Sequence, residues 1–89
     1  MELKKRAFAG TMESSDAYVE MEPCDKGISL HLESVVEAQF GDQIRAGVLE
    51  VLKEHGVENA MVRIVDKGAL DCVIRARVET AILRGKEEA

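Results

Sequence analysis

Apolar and polar residues alternate in two stretches of the first third of the chain, and together with a run of short, mixed residues before them they predict three strands. The stretches cover residues 5–11, 17–23 and 28–33. The third alternates most clearly, because its three aliphatic side chains fall on one face that can be buried. His31 then lies on the solvent side of this strand, as a surface residue rather than a catalytic one.

The segment between the first two predicted strands is Glu13-Ser14-Ser15-Asp16. Serine and aspartate favour turns because their side chains form hydrogen bonds with nearby backbone groups. The segment therefore predicts the tip of a β-hairpin, with both serines exposed.

A helix is predicted to begin at Ser34-Val35-Val36-Glu37, which has the spacing of a capping box. In that motif the Ser34 hydroxyl accepts from the backbone N–H of Glu37, and the Glu37 carboxylate accepts from the backbone N–H of Ser34. Gly56 is the predicted stop. The interior glycines Gly41 and Gly47 predict a bend or close packing. The predicted buried stripe of this helix consists of Val36, Phe40, Ile44, Val48, Val51, Leu52 and His55.

The last third of the chain predicts one more strand and one more helix. Residues 60–65 alternate, with Val62 and Ile64 opposite Met61, Arg63 and Val65. The stretch that starts at Leu70 fits either a strand or a helix, but helical spacing accounts for more of its apolar positions, so a helix is predicted over residues 69–85. The apolar face of this helix consists of Leu70, Val73, Ile74, Val78, Ala81 and Ile82.

The element order is therefore β-β-β-α-β-α, which predicts a small α+β domain. A mainly antiparallel sheet of about four strands should pack against two helices. The 89 residues fit one domain spanning 1–89, and residues 1–5 and 86–89 are expected to fray.

Composition narrows the classes of partner. The chain has 12 basic and 17 acidic residues, a net charge of −5, and this argues against a nucleic-acid backbone as the partner. The acidic surface either steers the chain toward basic proteins or only keeps it soluble. No apolar run is long enough for a membrane span or a signal peptide, so a cytoplasmic protein is expected, with Cys24 and Cys72 reduced.

No enzymatic signature is present in the sequence, so we expect no catalytic residue and no metal site. His31 and His55 lack metal-ligand spacing, and the glycines are scattered singly rather than grouped in a phosphate-binding loop. The remaining candidates are the hydroxyl groups of Ser14 and Ser15.

Several segments resemble those of the citrate lyase acyl carrier, or gamma, subunits. The first is Ala-Gly-Thr-Met-Glu-Ser-Ser-Asp at residues 9–16, where Met12 replaces a frequent leucine. The others are Val-Val-Glu-Ala-Gln-Phe-Gly at 35–41, Asp-Lys-Gly-Ala-Leu-Asp-Cys at 66–72 and Ile-Arg-Ala-Arg-Val at 74–78. The resemblance covers nearly the whole chain, and residues 66–72 are its most specific part.

The resemblance implies a non-catalytic carrier subunit. It implies that Ser14 is esterified to 2'-(5''-phosphoribosyl)-3'-dephospho-CoA, whose thiol carries acetyl and citryl thioesters during cleavage of citrate to oxaloacetate and acetate. The implied partners are the alpha (acyl transferase) and beta (citryl lyase) subunits, a prosthetic-group transferase and an acetylating ligase. A mobile, exposed turn would let the arm visit two active sites.

Three alternatives stay open at this point. Ser15 has the same hydroxyl as Ser14, and only the resemblance favours Ser14. The function is also open, because the chain could instead be a carrier for a malonate decarboxylase-like complex or a structural subunit without a cofactor. Asp66 and Asp71 are either residues that face a partner or residues at the start of a helix.

Overall fold

The computed structural model describes residues 2–86 and has the predicted order of elements. Of the residues expected to fray, 1 and 87–89 lie outside the described residues, and Lys86 is the last residue of a helix. The strands are β1 (Ala7–Gly10), β2 (Ala17–Pro23), β3 (Ile28–Ser34) and β4 (Ala60–Asp66), and the helices are α1 (Glu37–Glu54) and α2 (Asp71–Lys86).

The four strands form one sheet in the order β1-β2-β4-β3. The pairs β1–β2 and β2–β4 are antiparallel, whereas β3 and β4 are parallel. A parallel pair needs a long crossover, and α1 supplies it. Asp66, the last residue of β4, pairs with Ala17 on one side and with Ser34 on the other. The loop between β1 and β2 therefore lies at the same end of the sheet as the last residues of β3 and β4.

The core lies between one face of the sheet and the two helices. The alternation predicted for β4 is confirmed, because Val62 and Ile64 are fully buried while Met61 and Arg63 are exposed. Val65 is the exception, since it is buried on the opposite face. The buried residues that meet in this core include Val19 and Met21 of β2, Val48 and Leu52 of α1, and Val78 and Ile82 of α2.

Two residues predicted to be buried by the helices are exposed. Phe40 of α1 is 49% exposed, and Leu70 is 71% exposed. Leu70 is not part of α2, because the helix begins one residue later at Asp71. Both side chains line a groove between the N-terminal turns of the two helices, and no other element within residues 2–86 covers them.

The predicted capping box does not form. Ser34 is the last residue of β3, and its hydroxyl donates to the Asp66 carboxylate (2.7 Å) and accepts from the backbone N–H of Val36 (3.1 Å). Helix α1 begins at Glu37 without a side-chain cap, and the Glu37 carboxylate accepts from Arg45 instead. The strand pairing of Ser34 with Asp66 directs the hydroxyl away from the helix.

Residues 2–5 contact the domain, at the end of the chain where the sequence predicts that residues 1–5 fray. Leu3 is buried, and the carbonyl of Gly85 accepts from the backbone N–H groups of Lys4 (2.8 Å) and Lys5 (3.2 Å). The Glu2 carboxylate accepts from the backbone N–H of Glu58 (2.7 Å). These contacts join the start of the described chain to the end of α2.

Gly10 ends β1 in a conformation that only glycine adopts easily. Its φ is +90°, and a Cβ atom would lie 1.9 Å from the carbonyl oxygen of Ala17. We predict that Gly10→Ala lowers the free energy of unfolding by more than about 3 kcal/mol, since left-handed strain and a backbone clash add. Urea unfolding followed by circular dichroism measures this.

Gly27 is the matched control, because its φ is +84° but nothing lies within 4 Å of the added Cβ. Gly27→Ala should therefore show only the cost of the left-handed conformation, about 1 kcal/mol. Equal losses in the two variants would show that the contact with Ala17 does not constrain the loop.

Candidate functional site

The loop of residues 11–16 joins β1 to β2 and carries both candidate serines. Ser14 and Ser15 are exposed, and the backbone N–H of Asp16 donates to the carbonyl of Glu13 (3.1 Å), which closes a turn around them. The predicted exposed hairpin tip is confirmed. Within residues 2–86 the Ser14 hydroxyl has no hydrogen-bond partner. It is therefore accessible, and a reaction at this oxygen breaks no contact with the described chain.

The two serines differ in their backbone. Ser15 has a φ of +66°, in the left-handed region, and its N–H donates to the carbonyl of Lys67 (2.9 Å). Ser14 precedes it in the turn and has an ordinary φ. The two side chains therefore leave the turn from different backbone conformations, but both are exposed, so exposure alone does not choose between them.

The carboxylate of Asp16 anchors the loop to helix α2. It accepts from the Thr11 hydroxyl (2.7 Å) and from the backbone N–H of Ala17 (2.7 Å). Two nitrogens of the Arg77 guanidinium also donate to it, Nε at 3.1 Å and Nη2 at 3.0 Å. Two-pronged pairing of this kind fixes the orientation of both groups. The Thr11 hydroxyl, the Ala17 N–H and Arg77 together hold the pKa of Asp16 at about 2.

A second anchor joins the loop to the segment after β4. The N–H of Lys67 donates to the carbonyl of Asp16 (2.9 Å), opposite the bond from Ser15 to Lys67. The loop backbone is thus bonded on the C-terminal side of Ser14, while on the other side the N–H of Glu13 donates to the Thr11 hydroxyl (3.2 Å). These contacts restrict the backbone of the loop more than the mobile turn expected from the sequence.

Asp66 holds the segment that contains Lys67. Its side chain is buried, and one carboxylate oxygen accepts from the N–H groups of Gly68 (3.0 Å) and Ala69 (2.8 Å). The other oxygen accepts from the Ser34 hydroxyl. Both roles left open for Asp66 are therefore wrong, because its carboxylate is buried and α2 begins only at Asp71. The local sequence contains a signal for this turn, because aspartate commonly accepts from the backbone N–H groups two and three residues later.

Other kinds of site have little support in the described part of the chain. No group of three or more His, Cys, Asp or Glu side chains within residues 2–86 could hold a metal ion. Neither α1 nor α2, as far as the structure describes them, is long and apolar enough to cross a membrane.

The comparisons with known proteins match this chain over almost its whole length. Residues 4–85 match the family model described as malonate decarboxylase delta subunit (MdcD). The chain is 54% identical to the citrate lyase acyl carrier protein of Escherichia fergusonii, with 99% of this chain and 92% of the relative covered. It is 56% identical to the protein of the same name from Vibrio cholerae, with 94% and 87% covered.

A solved structure has the same fold. It is a chain of a Pseudomonas malonate decarboxylase hetero-tetramer in complex with malonate, with a TM-score of 0.77 and 25% identity. The alignment covers 91% of this chain and 84% of that chain.

Asp66 should contribute strongly to stability. Asp66→Ala leaves two backbone N–H groups and the Ser34 hydroxyl without their acceptor, so we predict a loss of about 3 kcal/mol in the free energy of unfolding. Urea unfolding measures the loss. Asp42→Ala, at a fully exposed carboxylate, is the control and should change stability by about 0.5 kcal/mol or less. A loss at Asp66 as small as that of the control would contradict the anchoring role.

The anchor at Asp16 should depend on pH. Its pKa is lowered from 3.8 to about 2, so the ionised carboxylate stabilises the folded state above about pH 4, and this contribution is lost as the pH falls from about 4 to about 2. Asp16→Asn should therefore have a lower urea midpoint than the wild type at pH 7, and the difference should shrink below pH 4. A difference that is the same at pH 7 and pH 2.5 would show that ionisation of Asp16 is not its source.

Proposed function

The chain belongs to the family of citrate lyase acyl carrier proteins, and from that premise we propose that it carries acyl groups for a citrate lyase complex through the hydroxyl of Ser14. The observation that supports this most is the state of that hydroxyl. It is exposed and has no hydrogen bond within residues 2–86, while the backbone beside it is fixed to Lys67. An attachment point needs this combination, because the oxygen must be reachable and its position must be reproducible.

The residues around Ser14 fit an ester to 2'-(5''-phosphoribosyl)-3'-dephospho-CoA. Its attachment would break no hydrogen bond of the described chain, and the Asp16 carboxylate nearby is already paired with Arg77. When bound, the group supplies a terminal thiol that carries acetyl and citryl groups as thioesters. Tethering of this kind raises the local concentration of the carried group near its next site.

The chain's own residues hold the attachment point and do not activate it. The Ser14 hydroxyl has no hydrogen bond to a base within the described residues, so no side chain there is placed to take up its proton. Loading must therefore be promoted by a separate prosthetic-group transferase. The Asp16–Arg77 pair and the two backbone bonds to Lys67 keep the turn in one orientation for that enzyme.

The partners follow from the same proposal. An alpha subunit exchanges acetyl for citryl on the carrier, a beta subunit cleaves the citryl group, and an acetylating ligase primes the thiol. All of these steps are expected in the cytoplasm. The carrier visits each partner and performs no bond chemistry itself.

A malonate decarboxylase carrier is the second candidate. The description of the matching family model and the 25% identical chain of the Pseudomonas complex favour it. Relatives at 54% and 56% identity are named for citrate lyase, and they favour the first candidate. Reconstitution with partner subunits separates them, because citrate cleavage requires the first and malonate decarboxylation the second.

Replacement of Ser14 tests the attachment site. We predict that Ser14→Ala removes a covalent adduct from the peptide that contains residue 14, and abolishes citrate cleavage by the complex. The fold should survive, with a change in the free energy of unfolding of about 0.5 kcal/mol or less, since the side chain has no partner. Intact-mass spectrometry of protein purified from its own host detects the adduct, and urea unfolding checks the fold.

Ser15→Ala is the matched control, because it removes an identical exposed hydroxyl one position later. It should keep the adduct and most of the activity. An adduct that survives in Ser14→Ala and disappears in Ser15→Ala would move the site to Ser15. An unmodified wild-type chain in an active complex would reject the carrier function.

A further inference from the structure

The sheet face turned away from the helices carries two of the three aromatic residues of the chain. Phe8 and Tyr18 alternate with buried residues in β1 and β2, and their ring centroids lie 6.4 Å apart on this face. Phe8 is 49% exposed, and Tyr18 is partly exposed. Neither ring belongs to the core between the sheet and the helices. The two rings therefore form an aromatic surface that the described chain does not use for its own packing.

A cleft beside these rings begins at the base of the serine loop. Its volume is about 340 Å³, and it is lined by Phe8, Ala9, Gly10, Tyr18 and Arg84. Gly10 pairs with Tyr18 at the last register position of β1 and β2 before the loop of residues 11–16. The cleft therefore starts where the segment that carries Ser14 leaves the sheet. We name it the aromatic cleft.

A second cleft continues from the first, along β1 and away from the serine loop. Its volume is about 360 Å³, and it is lined by Lys5, Arg6, Ala7, Phe8 and Arg84. Phe8 and Arg84 line both clefts, so the two are continuous. We name the second one the basic cleft, since three of its five lining residues are basic.

The basic cleft retains positive charge in a chain whose net charge is −5. Arg6 pairs with Glu20, but no carboxylate within residues 2–86 pairs with Lys5 or Arg84. The Arg84 guanidinium donates from Nη1 to the carbonyl of Phe8 (2.8 Å), which holds it at the junction of the two clefts. Its other nitrogens are available to an anion, and arginine binds phosphate oxygens well.

The group proposed for Ser14 has matching parts in the matching order. One phosphate and a ribose join the serine to the adenosine of dephospho-CoA, and the pyrophosphate and the pantetheine with its thiol follow. Nucleic-acid bases stack on aromatic side chains, and pyrophosphate is an anion. The aromatic cleft lies next to the loop and the basic cleft lies beyond it, so the order of the clefts along β1 is the order of base and pyrophosphate along the group.

We propose that Phe8 and Tyr18 stack against the adenine of the attached group in the aromatic cleft. Lys5 and Arg84 bind its pyrophosphate, so that only the pantetheine with its thiol moves between partner active sites. This inference rests on the proposed carrier function and adds to it which residues hold the nucleotide part of the group. Weak contacts are sufficient here, because a tethered ligand is present at a high effective concentration.

The fluorescence of Tyr18 provides a direct test, because the chain has one tyrosine and no tryptophan. Loaded carrier from its own host is compared with the same chain made in a host that lacks the prosthetic-group transferase. A base stacked on a tyrosine ring quenches its emission, so the loaded chain should emit about half as much as the unloaded chain or less. Intact-mass spectrometry measures the loading of each sample.

Variants locate the source of the quenching. Phe8→Leu and Arg84→Gln, each prepared loaded and unloaded, should lose at least about half of the difference in emission, since each removes one contact of the nucleotide. Phe40→Leu and Arg45→Gln are matched controls and should keep the difference. Phe40 is exposed to the same extent as Phe8, and neither control residue lines the two clefts. Urea unfolding checks that all four variants fold.

The outcomes separate this inference from the proposed function. Equal emission of the loaded and unloaded wild type, with the adduct present on Ser14, would overturn the nucleotide site alone. Equal losses in the cleft variants and the controls would also overturn it. A wild type without an adduct in an active complex would reject both proposals. Proton NMR of loaded wild type is a second measurement, in which nuclear Overhauser effects between adenine and the Phe8 or Tyr18 ring support the site and their absence overturns it.

Discussion

The buried carboxylate of Asp66 fixes the end of the molecule at which Ser14 is presented. Asp66 pairs with Ala17 and Ser34 in the two neighbouring strands, and its side chain binds Ser34 and the turn before α2. One carboxylate oxygen accepts from Ser34 at the end of β3, and the other accepts from the segment that follows β4. Asp66 therefore sets the position of the β3–α1 connection and of the β4–α2 connection. The loop that carries Ser14 forms backbone hydrogen bonds with Lys67, the residue that follows Asp66.

The serine loop has a second support of a different kind. The Asp16–Arg77 pair lies nearer to solvent than Asp66, so pH and salt act on it directly. The backbone bonds between the loop and Lys67 do not titrate. The loop therefore keeps its two backbone hydrogen bonds to Lys67 even where the ion pair is weakened. This arrangement holds the backbone of the turn and leaves the Ser14 hydroxyl free, so the range of an attached group comes from its own length.

The sequence predicted the parts of the fold that depend on local periodicity. Alternation in residues 28–33 and 60–65 and helical spacing after Leu70 were sufficient for the element order. The parallel pairing of β3 with β4 was not predicted, because nothing within either strand records the direction of its neighbour. The sequence predicts a helix cap at Ser34, because the hydrogen-bond partner of its hydroxyl in the structure, Asp66, is 32 residues away and leaves no local signal. The Arg77–Asp16 pair spans 61 residues and left no local signal either.

The two errors in the predicted core have a common cause. Phe40 and Leu70 fit the apolar faces predicted for the two helices. Such a face indicates that a position suits apolar surroundings, but it does not indicate which residues provide them. Both residues line the groove between the first turns of α1 and α2, and residues 2–86 leave both exposed. A helical stripe therefore does not distinguish a residue that its own domain buries from one at the edge of a groove. Only the tertiary arrangement, in which α1 and α2 diverge at their first turns and leave this groove open, separates the two cases.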